Sequence, residues 1–425
     1  MSKTEIVSSS SPFLAFRYAE YRYYLYANFL LTLAQSVHEV IIGYQLYVVT
    51  HDPLAIGILG VAEAVPFILL SLFGGHFADK FSKKKLIFWS LSSVVLSMFA
   101  LYLLSFKLLT SSDPNSLKYA IWGVVFAIGV ARAFFSPAMG SLRAFLVPRE
   151  VYANASTWSS SSWQTGVIIG PAISGFLYSI FGFSNSILFV VVIVIISVFF
   201  MLRIKDRKIP ADTFESTMYE KIREGFRYVW KTKIILYSIS LDMFSVMFGG
   251  VVAILPVFAA DVLHVGPESL GLMRAAPSVG AVLVLLALSK YSPMKRAWRN
   301  LLVAVAGFGA ATLVFAFSQN LILSLAALFI TGAFDSISVV IRSTILQLEV
   351  PDNMRGRVNA INGIFLSTSN EVGAFESGLA ARLMGVIPSA VFGGVMTLVI
   401  VAWVSLKSRD LMSIRFDANT QSDST

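Results

Sequence analysis

The sequence predicts an all-α integral membrane protein with twelve transmembrane helices in two pseudo-symmetric six-helix bundles. Composition, the spacing of the apolar stretches and an internal repeat support this fold class. Of the 425 residues, 56% are hydrophobic and 13% are charged, whereas roughly a quarter of an ordinary soluble protein is charged. Because a spanning helix needs about 20 apolar residues, the hydrophobic content allows about twelve spans.

Twelve apolar stretches occur along the chain, six before and six after its longest polar stretch. Each is long enough to cross a hydrocarbon layer of about 30 Å at about 1.5 Å per residue. We number them spans 1 to 12. They lie near 23–49, 54–78, 86–106, 119–141, 155–181, 185–204, 234–259, 268–289, 300–318, 321–345, 359–383 and 388–406.

The grouping of the spans predicts five regions in the chain. The linker between the bundles has apolar residues spaced as on one face of a helix over 214–230, which predicts an amphipathic helix that tethers the halves. The polar segment before span 1 is unlike a cleavable signal peptide, so span 1 is expected to be retained. The regions are an N-terminal segment at 1–22, a first bundle at 23–204, the linker at 205–233, a second bundle at 234–407 and a tail at 408–425.

The basic residues fall almost entirely on the side of the spans that carries both termini and the linker. Basic loops stay in the cytoplasm, so the termini and the linker are expected to be cytoplasmic. The net charge of +9 therefore requires no nucleic-acid partner. Of the 33 lysines and arginines, the five exceptions are Lys107, Lys118, Arg132, Arg274 and Arg382.

The two halves of the sequence are weak copies of each other. Residues 129–148 align without a gap with 332–351 at an offset of 203, and residues 60–66 align with 271–277 at an offset of 211. Two repeats in the same orientation are the plan of a transporter whose halves rock about a site between them. Chance similarity between apolar helices is the alternative explanation.

The segment 75–84, between spans 2 and 3, resembles the G-x-x-x-D-[RK]-x-G-[RK]-[RK] loop of the major facilitator superfamily, with Ser82 in place of the second glycine. Its aspartate is able to accept hydrogen bonds at a neighbouring helix end, and its lysines are expected in the anionic headgroup layer. A plain basic anchor is the alternative for the lysines alone. The gating residues that the resemblance implies here are Asp79, Lys80, Lys83 and Lys84.

Span 5 contains the sequence GVIIGPAISG at 166–175, which is similar to the G-P-x-x-G-G element of exporters in this superfamily, although Ser174 breaks the glycine pair. Small residues four apart let helix backbones approach closely, and a proline inside a helix removes one backbone hydrogen bond and permits a bend. The resemblance makes Gly170 and Pro171 candidate gating residues.

The most specific resemblance covers 332–378 and is to the branch of the superfamily that contains the enterobactin (siderophore) exporters, with macrolide-efflux proteins as relatives. It implies secondary active export of a bulky amphipathic molecule, siderophore or drug-like, by proton antiport across a bacterial inner (plasma) membrane. A small-molecule substrate, protons and the bilayer are then the partners, and no cofactor is implied. We expect a monomer, and whether an outer-membrane export partner receives the substrate stays open.

Ionisable residues in mid-span are costly and mark transport pathways. Polar residues spaced by three or four follow one face of spans 1, 7 and 10, and the resemblance independently makes spans 1, 4, 7 and 10 cavity-lining, so we expect these faces around one central polar cavity. The faces carry Asn28, Thr32, Gln35 and Glu39; Ser238, Asp242, Ser245 and Gly249; and Thr331, Asp335, Ser338 and Arg342. The predicted substrate and proton pathway comprises Asn28, Gln35, Glu39, Arg132, Asp242, Asp335, Arg342, Glu371 and Glu376.

Repeat-related positions carry opposite charges. Arg132 aligns with Asp335, and Glu63 aligns with Arg274. One hypothesis is that these residues form contacts that change between the inward-open and outward-open states, and that a carboxylate released from its partner takes up a proton. The alternative is permanent pairing within each half, for example Asp335 with Arg342 or Arg132 with Glu39.

Position within the spans refines these roles. Glu63 and Arg274 lie nearer the outer side, which favours gating over substrate binding. Glu371 and Glu376 are five residues apart and point to different faces, so at most one of them is expected to face the cavity.

Other function classes are disfavoured. The chain has no cysteine, which excludes thiolate metal sites and a cysteine nucleophile. No histidine and carboxylate cluster has metal-ligand spacing, and no phosphate-binding loop or nucleophile motif occurs, so an enzyme is not expected. A nutrient or metabolite importer on the same fold is the first alternative, and a non-transporting receptor or scaffold is the second.

Overall fold

The computed structural model describes residues 12–108, 114–143, 145–206 and 218–413, and these ranges are helical with no strand. Thirteen α-helices follow one another within them. They are α1 (Ala19–Thr50), α2 (Pro53–Lys80), α3 (Lys83–Leu108), α4 (Pro114–Arg143), α5 (Tyr152–Leu202), α6 (Met218–Lys231), α7 (Lys233–Gly249), α8 (Leu255–Asp261), α9 (Pro267–Leu288), α10 (Ala297–Ala316), α11 (Leu321–Glu349), α12 (Asp352–Met384) and α13 (Val386–Lys407).

Ten helical segments in the described ranges are long and apolar enough to cross a membrane. One of them contains α5, which includes predicted spans 5 and 6 and turns at Gly182, where φ is 70°. Predicted span 11 corresponds to α12, whose 33 residues fall outside this set because charged and polar side chains lower its hydropathy. The all-α membrane fold class is confirmed, and the total of twelve spans stays a prediction.

Local sequence explains where several helices begin and end. Asp52 accepts a hydrogen bond from the backbone nitrogen of Leu54 at 3.0 Å and caps α2, whose first residue is Pro53. Asn320 caps α11 in the same way. Gly385, with φ of 92°, separates α12 from α13, because this conformation is accessible to glycine without steric strain.

The repeat predicted from the sequence recurs in the packing of the two halves. A Cβ added to Gly129 of α4 would lie 2.8 Å from Cγ of Pro66 on α2. At the aligned positions, a Cβ added to Gly332 of α11 would lie 2.5 Å from Cα of Pro277 on α9. The same glycine and proline pair therefore lets equivalent helices approach closely in each half, which argues against chance similarity.

The halves touch each other at the end of the bundle opposite α6, which we call the far end. A Cβ on Gly175 of α5 would lie 2.8 Å from Cα of Glu268 on α9, and one on Gly378 of α12 would lie 3.0 Å from Cα of Gly57 on α2. Ion pairing adds to these contacts, since Arg382 lies 3.3 Å from Asp52. Tyr47 also donates a hydrogen bond to Asp261 across the halves.

The same helices separate toward the other end, which carries α6 and which we call the linker end. A Cβ on Gly75 of α2 or on Gly363 of α12 would meet no atom within 4 Å, although these helices touch at the far end. The described contacts between the halves therefore lie at the far end, and the two glycines border open space toward the linker end.

The predicted loop at 75–84 is mostly helical, which corrects the sequence expectation. Only Phe81 and Ser82 lie between α2 and α3. Lys83 is buried and donates to the carbonyl oxygen of Ala78 at 2.9 Å, and Lys84 donates to that of Leu202 at 2.7 Å.

These two lysines therefore satisfy free carbonyls at helix ends, and their place in the headgroup layer stays a prediction. Lys80 is exposed. The side chain of Asp79 is outside the described residues.

The linker helix α6 packs on the second half. Arg357 of α12 lies 2.5 Å from Glu224, and the Tyr228 hydroxyl donates to the carbonyl oxygen of Glu349 at 2.9 Å. A helix is observed over most of the predicted range 214–230, and the segment 207–217 lies outside the described residues. The described part of the linker is thus attached to the second half.

Substitution of Gly175 by leucine is expected to open the far end. Overpacking costs about 1–3 kcal/mol, which corresponds to roughly tenfold in the population of a two-state equilibrium. Because the chain has no cysteine, Asp52→Cys and Arg382→Cys supply the only thiols for a short bis-maleimide, and Gly175→Leu should lower their cross-linking yield. Gly123→Leu, where a Cβ meets no atom within 4 Å, is the control. An unchanged yield with Gly175→Leu would contradict this account of the far end.

Candidate functional site

A cavity of about 400 Å³ lies between the two halves, and we call it the central cavity. Its walls come from α1, α2 and α4 of the first half and from α7, α9, α10, α11 and α12 of the second. The charged residues that line it are Glu39, Glu63, Arg132, Arg274, Asp335 and Glu371. Six ionisable groups around one cavity of this size are costly in a membrane and define the candidate site.

One ion pair in the site is complete within the first half. Arg132 Nη1 lies 2.7 Å from Glu63 Oε1, and the guanidinium lies 5.0 Å from the ring centroid of Phe67, a cation–π distance. The close packing of α2 on α4 brings the two side chains together. Arg132 therefore pairs within its own half, but its partner is Glu63 and the expected contact with Glu39 is wrong.

A second ion pair is buried within the second half. Arg342 Nη1 on α11 lies 2.6 Å from Asp242 Oδ2 on α7, and both side chains are about 5% exposed. No hydrogen bond or ion pair among the described residues joins Arg342 to Asp335, which lines the central cavity instead. The direct partner of the Arg342 guanidinium is thus Asp242, and Asp335 interacts with Arg342 electrostatically without a direct contact.

Arg274 is the one arginine of the site that has no ion-pair partner among the described residues. Its Nε is buried without a hydrogen bond, and its Nη2 lies 4.0 Å from the place of a Cβ on Gly43 of α1. Glu39, one turn earlier on α1, is the carboxylate that interacts with it electrostatically. The side chain therefore reaches from the second half toward the first. Arg274 and Asp335 occupy the positions that Glu63 and Arg132 have in the first half, but no ion pair among the described residues joins them.

The two glutamates of α12 have different surroundings. Glu371 lines the central cavity, and its Oε2 lies 3.1 Å from the place of a Cβ on Gly60 of α2. Glu376 is not among the lining residues, and its Oε2 accepts a hydrogen bond of 3.5 Å from the Ser377 hydroxyl.

The polar faces of spans 1, 7 and 10 do not surround one cavity, which corrects the sequence expectation. On α1 only Glu39 reaches the central cavity, whereas Asn28, Thr32 and Gln35 line a second cavity of about 330 Å³ inside the first half. We call this second space the bundle cavity. Gln35 Nε2 donates to Glu39 Oε1 at 3.3 Å and links the two groups.

The other two faces are divided as well. Asp242, Ser245 and Ser338 line a small pocket beside the central cavity, and Asp335 lines both. Gly249 and Thr331 lie in the wall of the central cavity itself.

Several lining residues escaped the sequence analysis. Gly60 and Asn370 lie in the wall of the central cavity, and Ser136 and Gly140 lie in that of the bundle cavity. The last two follow Arg132 at steps of four on one face of α4, so helical spacing from a mid-span charge was the signal that could have found them.

The glycine and proline element of α5 lies at packing contacts. A Cβ on Gly170 would lie 2.5 Å from that of Ser36 on α1, and a Cβ on Gly271 of α9 would lie 2.5 Å from the carbonyl oxygen of Pro171. Gly170 therefore packs within the first half, and Pro171 lies at the contact between the halves. Within the described part of the chain, no group of three histidine or acidic side chains could hold a metal ion.

Comparison with known families agrees with this architecture. The sequence model of the Major Facilitator Superfamily matches residues 23–374. The chain belongs to this superfamily. It is therefore a multi-pass membrane transporter for small molecules rather than an enzyme.

Three curated relatives of this superfamily member cover most of its length at low identity. It is 23% identical to the staphyloferrin A transporter of Staphylococcus aureus (strain NCTC 8325 / PS 47) over 89% of this chain and 94% of the relative. It is 22% identical to the enterobactin exporter EntS of Shigella flexneri over 88% of each chain. It is 25% identical to the multidrug efflux pump Tap of Mycolicibacterium fortuitum over 84% of this chain and 88% of the relative.

Solved transporter structures share the fold of this superfamily member. A bacterial homologue of the human lysosomal transporter Spinster, in an inward-facing and unoccupied conformation, matches with a TM-score of 0.68 and 16% identity over 94% of this chain and 99% of that one. The nucleoside transporter NupG matches with a TM-score of 0.66 and 14% identity over 92% of this chain and 98% of that one.

Removal of Arg342 is expected to destabilise the protein strongly. Arg342→Gln leaves the Asp242 carboxylate buried without its counter-charge, and breaking a buried pair costs about 3–5 kcal/mol. The double variant Asp242→Asn/Arg342→Gln should recover most of that loss in thermal unfolding of the purified protein in detergent. Arg132→Gln is the comparison, and its loss should be smaller because that pair borders the cavity. A double variant no more stable than Arg342→Gln would refute the pairing.

Proposed function

We propose that this transporter is a secondary active exporter that carries a bulky amphipathic molecule, siderophore or drug-like, by alternating access coupled to proton antiport. The observation that carries the proposal is the central cavity, which lies between the halves, is lined by ionisable residues from both and is closed only at the far end. A site between two halves that close at one end fits a transporter whose halves rock about it.

The orientation in the membrane follows from the basic residues. Lys83, Lys84 and Arg357 lie toward the linker end, together with most of the other lysines and arginines, and positively charged segments stay on the cytoplasmic side. We therefore assign the linker end to the cytoplasm. The open linker end then makes this conformation inward-facing.

The relatives support the substrate class and the direction. Their names describe transport of staphyloferrin A, export of enterobactin and efflux of several drugs. The central cavity, which combines charged groups with apolar walls, suits a large molecule with both polar and apolar parts. Import is the second candidate, because the nucleoside transporter NupG shares the same fold and the fold alone does not set direction.

The two ion pairs of the site lie within single halves, whereas Arg274 interacts with a carboxylate of the other half without a direct ion pair. Glu63 and Arg132 belong to one half, as do Asp242 and Arg342, so rocking of the halves does not by itself separate either pair. The contacts therefore favour permanent pairing for Arg132 and Arg342. Arg274 differs, because it extends from the second half toward Glu39 of the first.

This arrangement supports Glu39 as the proton carrier. When the halves separate at the far end, α9 moves away from α1 and Glu39 loses the counter-charge of Arg274. The Glu39 carboxylate then binds a proton from outside in place of that counter-charge. When the far end closes again, Arg274 returns and the proton leaves through the cavity that is open toward the cytoplasm. A carboxylate that alternates between a cation and a proton as its partner couples the rocking motion to proton entry.

Transport in vesicles tests the direction and the coupling. Inverted vesicles that contain the chain should accumulate ethidium or enterobactin when their interior is acidic, and a protonophore should abolish the accumulation. Vesicles without the chain are the control. Accumulation in right-side-out vesicles alone would favour import, and accumulation that ignores the pH gradient would remove the antiport mechanism.

Glu39 is expected to be essential for coupling, unlike Arg132 of a fixed pair and Asp335 in the wall of the central cavity. Glu39→Gln removes the group that exchanges Arg274 for a proton, so substrate-dependent proton flux, followed with a trapped pH dye, should fall to background. Glu39→Asp should retain part of it, and Asp410→Asn, an exposed carboxylate outside the spans, should leave it unchanged. Arg132→Ala and Asp335→Asn should slow transport but preserve the number of protons moved per substrate. Normal proton flux with Glu39→Gln would exclude Glu39 as the carrier.

A further inference from the structure

We propose that the bundle cavity is a second binding subsite, which takes an uncharged aromatic arm of the transported molecule while the charged part of that molecule stays in the central cavity. This proposal rests on the proposed function, since it assigns a substrate chemistry to the same site. It starts from the wall between the two cavities, because Glu63 and Arg132 line both of them.

The ion pair separates the cavities but carries no net charge. Its 2.7 Å contact holds each charge against the other, so a ligand in the bundle cavity meets no uncompensated charge there. The central cavity differs, because its wall contains Arg274 without an ion-pair partner and the carboxylates of Glu39, Asp335 and Glu371. Charged groups of a ligand are therefore favoured on one side of the pair and uncharged groups on the other.

The bundle cavity offers apolar surfaces that fit an aromatic ring. Tyr24, Phe135 and Trp163 lie in its wall together with the thioethers of Met98 and Met139. Aromatic rings stack on one another in offset or edge-to-face geometry, and thioether sulfur makes favourable contacts with ring edges.

The same wall presents hydrogen-bonding groups that are not used elsewhere. Within the described ranges, no hydrogen bond engages the Tyr24 hydroxyl, the Asn28 amide or the Ser136 hydroxyl, although all three residues line the cavity. Tyr24 is buried, Asn28 is half-buried and Ser136 is exposed, so the last two are accessible to a ligand in the cavity. Three uncommitted groups beside aromatic surfaces therefore fit a ring that carries hydroxyl or amide substituents.

The sizes of the cavities support a divided site. Ligand cavities usually measure about 300–1,000 Å³, so spaces of about 400 Å³ and 330 Å³ are each at the lower limit for a bulky molecule. A molecule that extends past the Arg132 and Glu63 pair into both spaces is able to be larger than either of them.

Gly140 allows the bundle cavity to be filled without disturbing the fold. It lines the cavity on α4, and a Cβ there would meet no atom within 4 Å. Gly140→Leu therefore occupies the space in which the aromatic arm would lie. Gly123 is the matched control on the same helix, because a Cβ there is equally free and the residue is not in the cavity wall.

Thiol labelling reads out occupancy without any transport or proton gradient, so it separates this proposal from the proposed function. The chain has no cysteine, and Ser136→Cys therefore supplies a single thiol in the bundle cavity, whereas Asn370→Cys supplies one in the central cavity. The probe is 2-naphthol, an uncharged aromatic ring with one hydroxyl, and the label is N-ethylmaleimide.

We expect 2-naphthol to slow labelling of Ser136→Cys roughly tenfold at about ten times its Kd, since the free fraction falls by mass action, and to leave Asn370→Cys unaffected. Gly140→Leu combined with Ser136→Cys should abolish the protection, and Gly123→Leu combined with it should not. Equal protection of both thiols, no protection of Ser136→Cys, or protection that persists with Gly140→Leu would each overturn the proposal.

Discussion

A charged side chain inside a membrane needs a counter-charge or water, and this constraint organises the whole transporter. Arg342 and Asp242 are nearly inaccessible and meet it by pairing directly. Arg132 and Glu63 meet it by pairing at the edge of the central cavity. Because the fixed pairs satisfy their own charges, each half remains a stable body, and the groups left without a partner are confined to the space between the halves. The chemistry of transport is therefore restricted to the surface at which the halves separate.

Small residues provide the mechanical counterpart of these charges. Gly129 and Gly332 bring equivalent helices into contact inside each half, while Gly175 and Gly378 do so between the halves at the far end. The contacts inside a half lie beside the ion pairs that they bring together, as Gly129 does beside Glu63. The contacts between the halves combine close backbone approaches at these glycines with apolar packing, for example of Tyr47 and Ile56 against Val257. Rigid halves and a separable far end thus arise from the same residue type at different places.

The sequence was informative wherever a local pattern determines structure. Hydropathy located the helices, and the repeat identified Gly129 with Gly332 and Pro66 with Pro277 before any contact was known. It could not assign ion-pair partners, because Arg132 and Glu63 are 69 residues apart and meet only through the packing of α4 on α2. The sequence predicted a loop over 75–84 that is longer than the two residues observed between α2 and α3. The contact of Lys83 with the carbonyl oxygen of Ala78 forms only in the folded turn, so the local sequence did not reveal it. The bundle cavity was out of reach for the same reason, because its wall comes from four different helices in addition to α2.

The inverted charges of the repeat have a physical explanation in the two sides of the central cavity. Glu63 of α2 faces the second half at α12, where Glu371 carries a like charge, and Arg132 compensates from within the first half. The equivalent of Glu63 in the second half lies on α9, which faces α1 and therefore Glu39. A glutamate at that position would place two carboxylates together with no cation of their own, whereas Arg274 turns the contact into an attraction. The attraction between Arg274 and Glu39 exists only while the far end is closed. The arginine at the position that is Glu63 in the first half therefore makes this site sensitive to the rocking of the halves.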